Sequence, residues 1–117
     1  MESIAKIEME NRGLKVVRLE ADLANARVEK AKDAATSQQA RFDAGDVAQE
    51  EVDQAKAALA LAVNEAVAAV AKRDKAELDE ALLNLGRQKK LLAVGSGRKA
   101  DVNRAEEKVT TLQQQQH

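Results

Sequence analysis

Apolar residues recur every seven positions through the first third of this chain, at Ile7, Leu14, Ala21, Val28, Ala35 and Phe42. Val17, Ala24 and Ala31 fall between them at alternating steps of three and four. That spacing puts one narrow apolar seam on one face of a helix, and a partner helix must cover it. It constrains how the chain meets other surfaces, beginning with its own segments, and leaves open what those surfaces are for.

The rest of the sequence agrees with an all-α chain. Of 117 residues none is proline, cysteine, tryptophan or tyrosine, and Phe42 is the one phenylalanine. Alanine supplies much of the 44% apolar content and 33% of residues are charged. Strong helix formers in a heptad pattern mark long helices or coiled coil. The length suits one domain.

Two glycine turns divide the chain into three helices, expected at residues 3–44, 47–94 and 98–115. Gly13 lies inside the first at a cost of about 1 kcal/mol relative to alanine, but the heptad keeps its phase across it. Glu2–Lys6 and Glu8–Arg12 are i,i+4 pairs that would support the start. At Ala44-Gly45-Asp46, Gly45 can take the left-handed position that ends a helix. Asp46 is then expected as N-cap of the second helix, with Gln49 as its capping-box partner. So short a connection makes the two helices antiparallel.

The second helix reads Ala48, Val52, Ala55, Leu59, Ala62, Ala66 and Ala69 along its early seam. A later seam of Ala71, Leu78, Leu85 and Leu92 is offset by two residues, as when the buried face rotates toward a second partner. Gly86 is a possible break. At Gly95-Ser96-Gly97 a second turn follows, with Ser96 as expected cap. Val102, Ala105, Val109 and Leu112 form the seam of helix three, and Gln113 to His117 make a polar tail. The first two helices would be roughly 65–70 Å long and the third about 30 Å. The fold expected is an elongated antiparallel coiled-coil hairpin, two-stranded at the Gly45 tip, with a shorter third helix making a three-helix base.

An internal repeat at an offset of 50 supports this division. It aligns Gly45 with Gly95, Val52 with Val102, Ala55 with Ala105 and Leu59 with Val109.

Side-chain inventory argues against an enzyme. The single histidine, His117, is terminal, and no thiol, phenol or glycine-rich phosphate loop is present. Inward-facing Glu-x-x-His pairs, which dinuclear bundle sites use, do not occur. No cofactor or metal is expected. Glu50–Glu51 and Glu106–Glu107 read as first-turn acids favoured by the helix dipole. Gly95 to Lys99 lacks the spacing of a phosphate loop. Arg87, Lys89, Lys90, Arg98 and Lys99 form a basic cluster without interleaved aromatics, in a chain of net charge −1 with 19 basic and 20 acidic residues. A solvated end is expected there, and no nucleic-acid contact.

Ala57 to Ala71 is apolar on more than one side, interrupted by Asn64 and Glu65. A helix of that kind is contacted on more than one side. It falls short of the roughly 20 residues that cross a bilayer, so no transmembrane segment is expected. Alanine buries little, so a lone hairpin is marginal, and self-association would add to its core. Candidate partner-binding residues are Leu59, Ala62, Val63, Ala66 and Val70 on this stripe, with Arg41, Phe42 and Gly45 at the tip. Phe42 reads either as a plug closing the hairpin or as an exposed anchor. The start, Met1-Glu-Ser-Ile-Ala-Lys, lacks the regions of a secretory signal, so the chain as written is expected in the cytoplasm.

Around the tip the sequence reads Arg41-Phe42-Asp43-Ala44-Gly45-Asp46-Val47, followed by Val52, Ala55, Leu59 and Ala62. This resembles the Arg-(Tyr/Phe)-x-Ala-Gly-x-Val…Asp-Val-x-x-Ala-x-x-x-Leu pattern of TolC-type outer-membrane efflux proteins. Ala81, Leu82, Leu85 and Gly86 look like the close of their long helices, and Asp101-Val102 with Ala105 echo the pattern. Periplasmic adaptor proteins of tripartite pumps carry a similar glycine-turn hairpin. The match spans about residues 14–86, without barrel strands or the adaptors' Arg-Leu-Ser motif. It implies helical packing, tip contacts near Arg41, Phe42 and Gly45, and a periplasmic location for such a hairpin. The function expected is protein–protein contact by a non-enzymatic coiled coil, most simply self-assembly or scaffolding in a homo-oligomer. A hairpin component of an efflux or secretion machine and a small helical inhibitor of one host protein are the alternatives.

Overall fold

The computed structural model describes residues 4–116, with side chains from Arg12 onward. Among the described residues there are three helices and no strand: α1 (Ile4–Asp43), α2 (Gln49–Ala93) and α3 (Lys99–Gln115). Neither Gly13 nor Gly86 interrupts its helix. The side chains of Ile7, Glu2, Lys6 and Glu8 lie outside the described residues. The chain divides into two compact units, residues 15–71 and residues up to Leu14 together with 72 onward.

Residues 15–71 are a two-helix hairpin built on the heptad seam. On α1, Ala21, Ala24 and Ala35 are buried while Val17, Val28, Ala31, Gln38 and Phe42 are half-buried. Across from them on α2, Val52 and Ala66 are buried, and Ala55, Leu59, Ala62 and Ala69 are half-buried. Ala21 and Val52 have no exposed surface at all. Small side chains at these positions let the helix axes lie close, since interaxial distance follows the side chains at the contact. Ala48 stays exposed because it precedes the helix.

Two backbone turns of one design punctuate the chain. Gly45 and Gly95 have φ of +82° and +81°, a region that a Cβ disfavours. At the first turn Gly45 N–H donates to Phe42 O at 2.9 Å and Asp46 N–H to Arg41 O at 2.8 Å. At the second, Gly95 N–H donates to Leu92 O at 3.1 Å and Ser96 N–H to Leu91 O at 2.9 Å. Both are Schellman motifs, which satisfy the last carbonyls of the preceding helix.

This geometry corrects the expected caps. Asp46 and Ser96 belong to the stop signal of the helix before them, and the next helix begins only at Gln49 or Lys99. Arg98 is the N-cap of α3, without a side-chain cap bond, and its counterpart Ala48 accepts from Glu51 N–H at 3.1 Å. Gln49 therefore has no capping-box role, and its amide donates to Asp53 Oδ1 at 2.9 Å. Glu106 and Glu107 likewise fall beyond the first turn of α3, whose acid there is Asp101.

In the other unit α2 is joined by α3 and by the start of α1. Val102, Ala105 and Val109 of α3 are buried. Gln116 Nε2 donates to the main-chain oxygen of Asp74 at 2.8 Å, which fixes α3 antiparallel to α2. The expected rotation of the buried face does not occur. Leu78 and Leu85 are half-buried, but Ala71 and Leu92 at the ends of that seam are exposed. The first seam meanwhile has half-buried Arg73, Ala76, Glu80 and Arg87, although its position at Leu83 is exposed. The face widens, because α2 has a neighbour on each side here.

The 50-residue repeat extends through this packing. Buried or half-buried Ala24, Val28, Ala31, Ala35 and Gln38 of α1 correspond to Asp74, Leu78, Ala81, Leu85 and Gln88 of α2, each also buried or half-buried. Val52, Ala55, Leu59 and Ala62 correspond in the same way to Val102, Ala105, Val109 and Leu112. The positions that α3 buries thus correspond to the positions that α2 buries in the hairpin.

Two substitutions test the seam. Val52→Ala removes buried methyls and is expected to cost about 2 kcal/mol in chemical denaturation. Gln38 Oε1 is buried without a hydrogen-bond partner; Gln38→Leu is expected to stabilise the hairpin by about 1 kcal/mol, and a fall in the denaturation midpoint would contradict this.

Candidate functional site

The hairpin's distinguishing surface is apolar and faces solvent on both helices. On α1, Val16, Leu19 and Leu23 are each at least half exposed, at steps of three and four on the side away from the seam. On α2, Leu61 and Val67 are more than 60% exposed and Val63 is 40% exposed. Val16, Leu19 and Leu23 recur at helical spacing and form a stripe; on α2 Val63 and Val67 lie one turn apart, whereas Leu61, two residues before Val63, is on the other flank of the helix. Contiguous exposed apolar surface of this kind marks interaction sites, whereas scattered single residues do not.

The candidate partner residues divide between this surface and the seam. Ala66 is buried inside the hairpin, and Leu59, Ala62 and Val70 are half-buried. Of the five residues chosen on Ala57–Ala71, Val63 alone is exposed. The residues missed were Leu61 and Val67 on α2 and the whole α1 stripe. Heptad phase could have found them: once Val52, Leu59 and Ala66 define the seam, Leu61 and Val67 fall off it. At the tip Arg41 and Gly45 are exposed and Phe42 is half-buried. Phe42 thus continues the seam to its end while keeping part of its ring in solvent.

At the second turn the N–H groups of Gly95, Ser96 and Gly97 are all used within the backbone. Ser96 N–H and Gly97 N–H both donate to Leu91 O, at 2.9 and 3.0 Å, so neither points at a ligand. A side chain at Gly97 would meet Leu92 N at 2.7 Å. Lys89, Lys90, Arg98 and Lys99 are exposed. Asp101 accepts from Arg98 Nε at 3.3 Å and from Arg104 Nη2. The Arg104 hydrogen bond, helped by the charges of Arg104 and Arg98, holds the Asp101 carboxyl below its ordinary value of 3.8.

Among the described residues no group of three or more His, Cys, Asp or Glu is placed to hold a metal. The grooves are open, such as one along α2 lined by Asp79, Leu82, Leu83, Gly86, Arg87 and Lys90. α2 is long and apolar enough to cross a membrane by length and composition, with 6% of its most apolar window buried inside the protein. In the same hairpin, however, α1 carries exposed Asp22, Arg27, Glu29, Lys30, Lys32 and Asp33, which a bilayer would reject at high cost.

No family model, curated protein or solved structure matches the chain. The reading of function therefore rests on its own surfaces.

A pH prediction follows from Asp101. A carboxyl whose folded pKa is depressed stabilises the fold fully above its unfolded value and loses that contribution as pH falls through the lower folded value. Asp101→Asn is expected to speed amide exchange at the start of α3 near neutrality. The difference from the unsubstituted protein should shrink as pH falls below 3.8; a difference that persists unchanged at pH 2 would exclude this role.

Proposed function

We propose that this protein is a non-enzymatic helical coiled-coil protein that acts by protein–protein contact, with self-assembly as the primary event. One observation carries the reading: the 15–71 hairpin exposes Val16, Leu19 and Leu23 on one helix and Leu61, Val63 and Val67 on the other. Burying a side chain of this size is worth about 1.5–3 kcal/mol. The hairpin's own seam is rich in alanine, so apolar surface left outside it is a large share of what the chain could bury.

The charge pattern fits the same reading. Balanced charge gives no field to draw nucleic acid, and the charged flank of α1 disfavours insertion of α2 into a bilayer. A second reading, a hairpin component of an efflux or secretion machine, is favoured by the tip, where the resemblance is concentrated. There Gly45 turns with positive φ beside exposed Arg41 and half-buried Phe42. On that reading the compartment is the periplasm; on the first it is the cytoplasm.

Multi-angle light scattering across a concentration series tests self-assembly directly. The mass is expected to rise above the 12.6 kDa of one chain. A constant single-chain mass at all concentrations would refute it and leave a foreign partner as the target of the exposed stripes.

A further inference from the structure

Charge is balanced over the whole chain but not at the second turn. Between Glu80 and Asp101 there is no acidic residue, while Arg87, Lys89, Lys90, Arg98 and Lys99 are basic. Sequence alone reads that cluster as a solvated end; the structure adds what lies among the cations. Leu91, Leu92 and Val94 are exposed there, Val94 by 74%. Val94 N–H donates to Lys90 O at 3.2 Å, and the N–H groups of Ser96 and Gly97 both return to Leu91 O. Those bonds draw residues 90–97 into one turn. The three apolar residues therefore share it with Lys90 and border Lys89, Arg98 and Lys99, and all four cations are exposed.

The first turn shows that the backbone requires none of this. It has the same glycine-turn hydrogen bonds and the same left-handed glycine. Yet the 50-residue repeat places Gln39, Ala40, Ala48 and Gln49 where Lys89, Lys90, Arg98 and Lys99 stand. Arg41 and Ala44 take the positions of Leu91 and Val94, and Asp43 and Asp46 those of Ala93 and Ser96. Basic residues near a helix C-terminus complement its dipole, but α1 ends in the same kind of turn with Arg41 alone in that role. Ending α2 thus explains neither the run of cations nor the exposed apolar residues between them.

We propose that the second turn seats the protein end-on on an anionic lipid surface. Leu91, Leu92 and Val94 enter the boundary between headgroups and acyl chains, and the surrounding lysines and arginine meet the lipid charges. A patch that is apolar and cationic in one place calls for a partner that is apolar and anionic in one place, which such a surface is. Nucleic acid offers the charge but leaves the three apolar side chains in water. An acidic peptide is held by a groove, a sheet edge or free backbone donors. Here the N–H groups of Gly95, Ser96 and Gly97 are used within the turn. What remains is long flexible side chains around an apolar tip, which suit a fluid surface better than a shaped anion. The contact is confined to the turn, so no helix crosses the bilayer. It is independent of self-assembly, which is assigned to residues 15–71.

Vesicle co-sedimentation of the full chain tests this. Binding is expected to vesicles of phosphatidylcholine mixed with phosphatidylserine and not to phosphatidylcholine alone, and it should weaken as salt is raised. Lys89→Gln/Lys90→Gln/Lys99→Gln should weaken it by about fivefold for each cation removed. Leu91→Ser/Val94→Ser should weaken it roughly tenfold. Lys30→Gln/Lys32→Gln/Lys56→Gln removes the same charge from the hairpin and should bind as the unsubstituted protein does. All these residues are exposed, so circular dichroism should be unchanged. Absence of binding to the mixed vesicles, equal losses in the two lysine sets, or full binding by the serine variant would overturn the proposal. So would capture of soluble polyglutamate in preference to the vesicles, which makes an acidic protein the partner. Light scattering without lipid decides self-assembly separately, and there the variants of the second turn should match the unsubstituted protein.

Discussion

Contact between α1 and α2 through small side chains organises this molecule. Ala21, Ala24, Ala35 and Ala66 occupy seam positions that leucine or isoleucine would fill in a conventional coiled coil. Alanine buries few methylenes, so each contact contributes little from the hydrophobic effect. Its compensation is close approach of the backbones, which raises the number of weak dispersion contacts along the pair. Bulk enters sparingly, where Val52 and Leu59 alternate with alanine. A seam of this kind is sensitive to any added volume, and it leaves larger apolar residues such as Leu19, Leu23 and Val67 to other surfaces.

Repetition explains how one helix serves two partners. α2 presents one stripe to α1 and, from Asp74 onward, a second to α3, because residues 74–88 repeat the seam of residues 24–38. Both turns that feed these pairings use the same hydrogen bonds and the same left-handed glycine, at Gly45 and Gly95. Identical turns followed by helices of like pattern give like pairings. The repeat therefore accounts for the burial of Val102 in the place of Val52.

Electrostatics has a local role. Charge is balanced and interspersed, and the clearest perturbation is at the start of α3, where Arg98 and Arg104 clasp Asp101. Arg98 is the N-cap of α3 but makes no side-chain cap bond, so Asp101 supplies the negative charge that the dipole favours in a first turn. These groups anchor a helix end, whereas in the function we propose the exposed apolar residues of the hairpin make the contacts.

Helix content, the three segments, the positions of both turns and the hairpin seam were all legible from heptad spacing and glycine placement, since both act over a few residues. The seam from Leu14 to Phe42 follows the heptad residue by residue. Caps were misassigned because Asp46 and Ser96 look like N-caps in sequence, while their N–H groups are taken by Arg41 and Leu91 in the preceding stop signal. The face of α2 beyond Ala71 was misread as rotating because spacing alone cannot distinguish a second partner from a replaced one. Nor could it decide which apolar residues of Ala57–Ala71 remain outside: Ala66 is enclosed and Val67 is not, a one-residue difference of about 100° around the helix. Sequence thus determined the helices and where the chain turns back, through local propensity and periodicity. Tertiary packing alone decided which faces are covered, because that depends on which side of each helix its neighbour meets.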